Sequence, residues 1–464
     1  MVPTAEQFDV VVVGGGPGGY AAALYGANAG LNIAVVEKEK VGGTCLHRGC
    51  IPAKEFLETA TVFRTVAGAK EFGVQADQPG LDFAASQARK QKVVDTLWKG
   101  LQGLMKARKI TTIKGVGSLT RGKLVRVDDG SELKGEHVIL ASGSVPRTLP
   151  GFDVDGRIVM TSDEVLDLDA LPSSAVVVGG GAIGCEFASM MSDLGVQVTL
   201  LEVLPKLLPG CDDDIVNVVA RSFQRRGIEV RTGVKVDGHE PSGNGTTVHF
   251  GGDSVTVDAV VMSVGRRPLS DGLDLAGTAV EVDPRGYVVV DGLMRTGEDG
   301  VYAVGDLVAT PQLAHVGFAE AIVAIKDILG ERAVPVDYGR VPWCIYCHPE
   351  VAFAGPSEQD ARAAGLDVVV KKMPYSHNGR SLIVGEPEGM VKVIAEKKAD
   401  GRAGPILGVH MVGAWVTEQL GQGYLAVNWE ATPDETGQFI QPHPTLSETF
   451  GEAVLALTGR GLHG

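Results

Sequence analysis

Residues 8–19 read Phe8-Asp9-Val10-Val11-Val12-Val13-Gly14-Gly15-Gly16-Pro17-Gly18-Gly19. The β-branched run has the composition of a buried parallel strand. It passes directly into G-x-G-x-x-G, with Gly14, Gly16 and Gly19 in the key places. An alanine-rich helix is expected over 20–30 and a second strand over 32–36, ending at Glu37. The glycines permit a tight turn and let a pyrophosphate reach the N–H groups and positive dipole end of that helix. Glu37 is placed to accept from ribose hydroxyls. A glycine motif alone is weak evidence. Strand, glycines, helix, strand and acid in that order specify a dinucleotide-binding unit.

The order then returns. A strand over 175–178 leads into Gly179-Gly180-Gly181-Ala182-Ile183-Gly184, with Gly179, Gly181 and Gly184 in the same places. A helix over 185–194 and a strand over 196–201 follow, and Glu202 closes the unit. The reading is an α/β protein with two Rossmann-like domains, one holding FAD and one a nicotinamide cofactor. Glu202 points to NAD, because a carboxylate bonds a free 2′-OH and repels a 2′-phosphate. Lys206 lies close by in the sequence.

Between the repeats stands Gly42-Gly43-Thr44-Cys45-Leu46-His47-Arg48-Gly49-Cys50-Ile51-Pro52-Ala53-Lys54. In a regular helix, residues five apart are separated by about 7.5 Å of rise. A disulfide needs a Cα separation of roughly 4.4–6.8 Å, so the turn must tighten. Pro52 removes the donor for the Arg48 carbonyl and frees the turn to deform. A strained, accessible disulfide is the easily reduced kind. A lone C-x4-C reads as a structural disulfide or two unrelated thiols. Beside a dinucleotide site, we read Cys45 and Cys50 as a redox-cycling pair. His47 and Arg48 lie between them, where they could lower a thiol pKa or redirect substrate choice.

The 464 residues suggest about three domains, and 44% hydrophobic content suffices for buried cores. A net charge of −15 argues against nucleic acid or an anionic membrane as partner and favours a soluble protein. Residues 1–9 carry no signal-peptide pattern, and no apolar run reaches the length of a membrane span. Six cysteines without a secretion signal imply a reducing, cytoplasmic setting.

Elsewhere, residues 55–110 read as helical with Leu97, Leu101, Leu104 and Met105 on one face. Residues 227–263 read as a small meander, and 141–146 as a small-residue crossover between domains. Asp306 follows a short buried strand, where it could accept from a sugar alcohol chain or simply form a turn. Cys344 and Cys347 form a C-x-x-C with no second pair, and read as two packed thiols with no metal. His443 sits between Pro442 and Pro444, and Glu448 can reach back to it, as an acid orienting a base.

Together, GGTCLHRGCIPAK (42–54), ASGSVP (141–146), VGRRP (264–268), AVGD (303–306), LAH (313–315), YCHPE (346–350) and HPTLSE (443–448) make the chain resemble the pyridine nucleotide–disulfide oxidoreductase family over nearly its whole length. The resemblance implies an FAD domain over 1–148, an NAD domain over 149–270, a central continuation of the FAD domain over 271–340, and a C-terminal α+β dimerisation domain over 341–464. It implies a homodimer in which His443 and Glu448 complete the disulfide site of the other subunit. It implies that Cys45 exchanges with a dithiol and Cys50 faces the flavin, with Lys54 beside the flavin and Glu186 paired to it. It further implies that Gly117, Asp306 and Ala314 serve FAD and that Gly265 serves NAD. The implied substrate is the dihydrolipoyl group on the acyltransferase of a 2-oxo-acid dehydrogenase complex. Another disulfide or quinone reductase is the alternative activity. A scaffold docked on a multienzyme core is the alternative of a different class, and the retained redox pair and base speak against it.

Overall fold

A computed structural model describes residues 6–77 and 80–463. Residues 1–5, part of the leader reading above, lie outside the described residues.

The first glycine unit forms as its sequence requires. The strand Glu6–Val13 runs into the helix Pro17–Asn28 and returns as the parallel strand Ile33–Glu37. These strands belong to a seven-stranded sheet with Glu132–Leu140 on the other side of the opening strand. Val301–Ala303, far along the chain, adds to that sheet as a parallel strand beside Glu132–Leu140. Val10, Val11 and Val12 are wholly buried, as a parallel strand covered on both faces demands.

The second unit builds a separate five-stranded parallel sheet around Ser174–Val178, with the helix Ala182–Asp193 following its glycines. The meander is shorter than its sequence suggests. Only Val236–Ser242, Gly245–Phe250 and Asp253–Val257 form the three antiparallel strands. Glu229–Thr232 and Ala259–Met262 join the parallel sheet on either side. The helix Asp213–Arg225 carries the chain back over the sheet so that Glu229–Thr232 lies parallel, and the three antiparallel strands themselves form the next crossover, into Ala259–Met262.

The small-residue run 141–146 also has a partner. Ser144–Pro146 pairs antiparallel with Arg266–Pro268, so ASGSVP and VGRRP form one two-stranded ribbon between the two dinucleotide units.

The helical stretch splits into Cys50–Gly68 and Phe83–Ala107. Its inward line is Val94, Trp98, Leu101 and Met105, whereas Leu97 and Leu104 are 45% and 40% exposed in the single chain. Leu101 and Met105 face inward as expected, and Val94 and Trp98 take the places expected of Leu97 and Leu104. Trp98 takes the inward place because its ring packs against His47 and under Lys40.

The last third is a five-stranded antiparallel sheet in the order Trp343–Ile345, Glu350–Ala354, Ala403–Gly413, Met390–Lys397, Val368–Pro374. Helices Val416–Asn428 and Glu448–Leu457 share its core. Among the described residues, no helix is long and apolar enough to cross a membrane.

Candidate active site

The two glycine turns are built alike, atom for atom. A Cβ on Gly14 would lie 2.2 Å from the Ala141 carbonyl oxygen, and one on Gly179 would lie 2.4 Å from that of Ser263. A Cβ on Gly19 would lie 1.8 Å from the Gly14 oxygen, and one on Gly184 would lie 1.8 Å from the Gly179 oxygen. Gly14 and Gly179 both have φ near +106°, a region that favours glycine. Gly16 and Gly181 cap the two helices with no side-chain hydrogen bond, so no side chain occupies the first-turn N–H groups.

The acids are held the same way in both units. Glu37 accepts from Gly15 N–H at 2.7 Å and Glu39 N–H at 2.8 Å. Glu202 accepts from Gly180 N–H at 2.6 Å and Leu204 N–H at 2.7 Å. Each carboxylate oxygen keeps a second lone pair for a sugar hydroxyl. Lys206 donates to Asp213 and to the Cys211 carbonyl, so its charge is already matched beside Glu202.

Cys45 and Cys50 are bonded, with Cα atoms 4.6 Å apart. The chain achieves this by interrupting the helix, not by tightening it. Gly43–Arg48 ends at Gly49, which has φ −148° and ψ −108°, and a new helix starts at Cys50. Gly49 is thus the breaking residue, and Pro52 merely sits in the first turn of the second helix. His47 and Arg48 are engaged elsewhere: His47 lies 3.0 Å from the Val41 carbonyl, and Arg48 pairs with Glu39.

One turn after Cys50, Lys54 donates to both oxygens of Glu186 at 2.8 Å. Glu186 comes from the helix of the second glycine unit and also accepts from Tyr346 N–H. Lys54 lies 4.9 Å from the centre of the Tyr346 ring. Burial pushes the Tyr346 hydroxyl up to about 12. Asp306 receives the Ser144 hydroxyl at 2.5 Å.

A single cleft of about 2030 Å³ joins these groups. Its walls include Gly14, Gly16 and Glu37 from the first unit, Gly179, Gly181, Glu202 and Gly265 from the second, and Cys45, Cys50, Lys54, Glu186, Asp306 and Ala314 between them. Ordinary ligand pockets span roughly 300–1,000 Å³, so this one has room for more than one dinucleotide-sized body. The cradles that a Cβ would fill, the uncapped helix ends and the two acids fit FAD and a nicotinamide dinucleotide. Gly19 and Gly184 shape the turns from below. Gly117 is buried, and a Cβ there would press on Val13 and Val36 from within the sheet.

His443 and Glu448 are joined, Nδ1 to Oε2, at 3.0 Å. The imidazole is 77% exposed and does not line the cleft of its own chain. The single chain therefore does not bring base and disulfide together. Cys344 and Cys347 are free thiols, as are Cys185 and Cys211. Burial pushes the Cys344 thiol up to about 11 and the Cys347 thiol higher still. Among the described residues, no group of three His, Cys, Asp or Glu side chains is arranged to hold a metal.

Sequence reasoning passed over Ser144, Arg266 and Tyr346 as functional residues. All three lie inside runs quoted above, but nothing local signals that Ser144 and Arg266 meet across 122 residues.

The family described as pyridine nucleotide-disulphide oxidoreductase matches residues 8–321, and its dimerisation domain matches residues 341–454. Among curated proteins, the chain is 42% identical to a dihydrolipoyl dehydrogenase of Bacillus subtilis (strain 168), covering 99% of this chain and all of that one. It is 34% identical to the mitochondrial dihydrolipoyl dehydrogenase of Pisum sativum, covering 99% of this chain and 93% of the other. Among solved structures, LpdA from Mycobacterium tuberculosis superposes with a TM-score of 0.91 at 26% identity, covering 98% of this chain and 100% of that one. The HOCl-induced flavoprotein disulfide reductase RclA from Escherichia coli superposes with a TM-score of 0.86 at 26% identity, covering 96% and 99%.

Proposed function

The chain belongs to the pyridine nucleotide–disulphide oxidoreductases, and from that premise we propose that it oxidises a protein-bound dihydrolipoyl group and reduces NAD⁺ to NADH. The observation that carries this reading is the Cys45–Cys50 disulfide in the wall of a cleft shared by both glycine turns.

The thiol half-reaction needs a base. His443 of a second copy takes a proton from the dithiol, while Glu448 holds the imidazole by its Nδ1. The resulting thiolate attacks Cys45, the Cys45–Cys50 bond breaks, and Cys50 leaves as a thiolate. The second sulfur of the dithiol then attacks its own mixed disulfide and releases Cys45. The lipoyl disulfide departs, and its two electrons remain on the cysteine pair. When bound, FAD supplies a two-electron acceptor between that pair and the nicotinamide. The sum is dithiol plus NAD⁺ giving disulfide, NADH and one proton.

The other residues hold or orient. Gly14, Gly16, Gly19, Glu37, Asp306 and Ala314 hold FAD, with Lys54 and Glu186 fixing the wall beside it and Gly117 supporting the site from within the sheet. Gly179, Gly181, Gly184, Glu202 and Gly265 hold NAD. The segments 1–148 and 271–340 serve FAD, 149–270 serves NAD, and 341–464 joins two copies. Its working partner is the lipoyl-bearing acyltransferase of a 2-oxo-acid dehydrogenase complex, and its place is the cytoplasm.

The test is anaerobic mixing of the purified yellow protein with dihydrolipoamide, followed by NAD⁺. Flavin bleaching and then NADH formation are expected. NADPH should substitute poorly for NADH in the reverse assay, and oxidised glutathione poorly for lipoamide. A flavin indifferent to dihydrolipoamide would overturn the reading.

A further inference from the structure

Arg266 is a deeply buried guanidinium that the mechanism leaves unused. Its side chain is 11% exposed, at the start of the strand Arg266–Pro268. Its Nε donates to the Ser144 hydroxyl at 2.7 Å, and its Nη2 donates to the Ser144 carbonyl at 2.8 Å. The Ser144 hydroxyl in turn donates to Asp306 Oδ2 at 2.5 Å. Arg266 Nε stands 3.8 Å from that same oxygen.

The direction of this chain is forced. A guanidinium has no acceptor and keeps its protons in proteins. Ser144 must therefore offer Arg266 its lone pair and spend its only proton on Asp306. One oxygen of Asp306 is thereby fixed as an acceptor, which fixes the plane of the carboxylate. Asp306 and Asp163 supply the negative charge that a buried guanidinium needs.

The two ends of the chain belong to different units. Arg266 follows Gly265 (φ +98°) and the Ser263 carbonyl that closes against Gly179. Ser144 follows the Ala141 carbonyl that closes against Gly14. The ribbon between them is pinned by Arg147 N–H to Gly265 O at 2.9 Å and by Leu269 N–H to Gly143 O at 2.9 Å. All four side chains, Arg266, Ser144, Asp306 and Asp163, line the shared cleft.

We infer that Arg266 is a positioning residue: through Ser144 it presets the Asp306 carboxylate for FAD and locks the second glycine unit to the first. The inference rests on the reading that Asp306 serves FAD. Lysine cannot replace it, because an ammonium has no planar fork to grip hydroxyl and carbonyl together.

The test is FAD titration of apoprotein by flavin fluorescence quenching, with Arg266→Met, Arg266→Lys, Ser144→Ala and the double variant Arg266→Met/Ser144→Ala. A hydrogen bond to a charged group whose loss strands a buried partner gives about 10- to 100-fold weaker FAD binding for Arg266→Met. Arg266→Lys should recover less than half of that loss on a logarithmic scale. Ser144→Ala should weaken FAD by about 5- to 10-fold, and the double variant should be no worse than Arg266→Met alone, since both act through one chain. FAD affinities within twofold of wild type for both Arg266→Met and Ser144→Ala would overturn the inference, as would full additivity. Thermal unfolding of the apoproteins separates a merely structural role, which would lower the melting temperature and spare FAD affinity. Should Arg266→Met fail to fold, Ser144→Ala decides alone, because it removes no charge and leaves Arg266 and Asp306 facing each other. Wild-type turnover of dihydrolipoamide is measured alongside: its absence with normal FAD titrations would sink the proposed function and leave this inference standing.

Discussion

The substitution Gly184→Ala tests the second glycine turn without touching the disulfide. The added Cβ would lie 1.8 Å from the Gly179 carbonyl oxygen. Carbon–oxygen contacts across packed backbone settle at about 3.3 Å, so helix and turn must part by about 1.5 Å. That shift withdraws the first N–H groups of the helix Ala182–Asp193 from any diphosphate seated against them. Two charge-assisted hydrogen bonds at about 1.5–3 kcal/mol each amount to about 3–6 kcal/mol, or about 10²- to 10⁴-fold in NAD⁺ affinity. Gly181→Ala is the matched control. Its Cβ meets nothing within 4 Å, and its φ of −74° suits alanine. It should keep the melting temperature and lose NAD⁺ affinity only through contact with the cofactor. Gly184→Ala should lower both. The assay is KM for NAD⁺ alongside thermal unfolding and the rate of flavin bleaching by dihydrolipoamide, which both variants should retain. NAD⁺ affinity within threefold of wild type in Gly184→Ala would exclude this role for the glycine turn. So would equal loss of flavin bleaching, because the two glycine units would then not serve separate cofactors.

Four further outcomes follow from the geometry. Gly19→Ala, which meets the Gly14 oxygen at the same 1.8 Å, should yield protein without bound yellow flavin; a normally yellow product would contradict the twin construction of the turns. Cys45→Ser should abolish dihydrolipoamide turnover and leave FAD bound, so retained turnover would exclude its role. His443→Gln should slow flavin reduction by dihydrolipoamide by about 10²-fold or more, and hybrid dimers of Cys45→Ser and His443→Gln chains should turn over well above either parent; hybrids no faster than the parents would place base and disulfide in one subunit. Finally, burial and the charges of Arg64 and Arg226 hold His348 at about 3 when folded, against about 6.5 when unfolded. Between those values the unfolded chain binds more protons, so stability rises with pH through that window and falls on acidification. From pH 7 to 4.5 the loss from this residue is on the order of 2 kcal/mol, and urea titrations should show a shallower acid slope for His348→Gln than for wild type.

Much of this architecture is local in origin and therefore readable from the chain. A β-branched run that stops at Gly14 or Gly179 needs a parallel neighbour, a turn with positive φ and a helix, and each is written within about 25 residues. The acids Glu37 and Glu202 are fixed by the same short-range logic. The two strands flanking the meander look antiparallel by composition alone; the helix Asp213–Arg225 sets the direction of the first, and the meander, acting as a crossover, sets that of the second. Leu101 and Met105 turn inward while Leu97 and Leu104 turn outward, because apolar residues flank the stripe on both sides and spacing alone does not choose between them.

Two dinucleotide units, a cysteine pair between them and an acid-oriented histidine near the end are legible in the chain. Each rests on spacing that bond geometry constrains over a few residues. Tertiary structure alone decided what meets what: Lys54 with Glu186, Ser144 with Arg266 and Asp306, and His443 with no disulfide in its own chain. The physical reason is that a buried charge or hydroxyl must find a partner somewhere, and folding supplies that partner from more than a hundred residues away, where no local periodicity reaches.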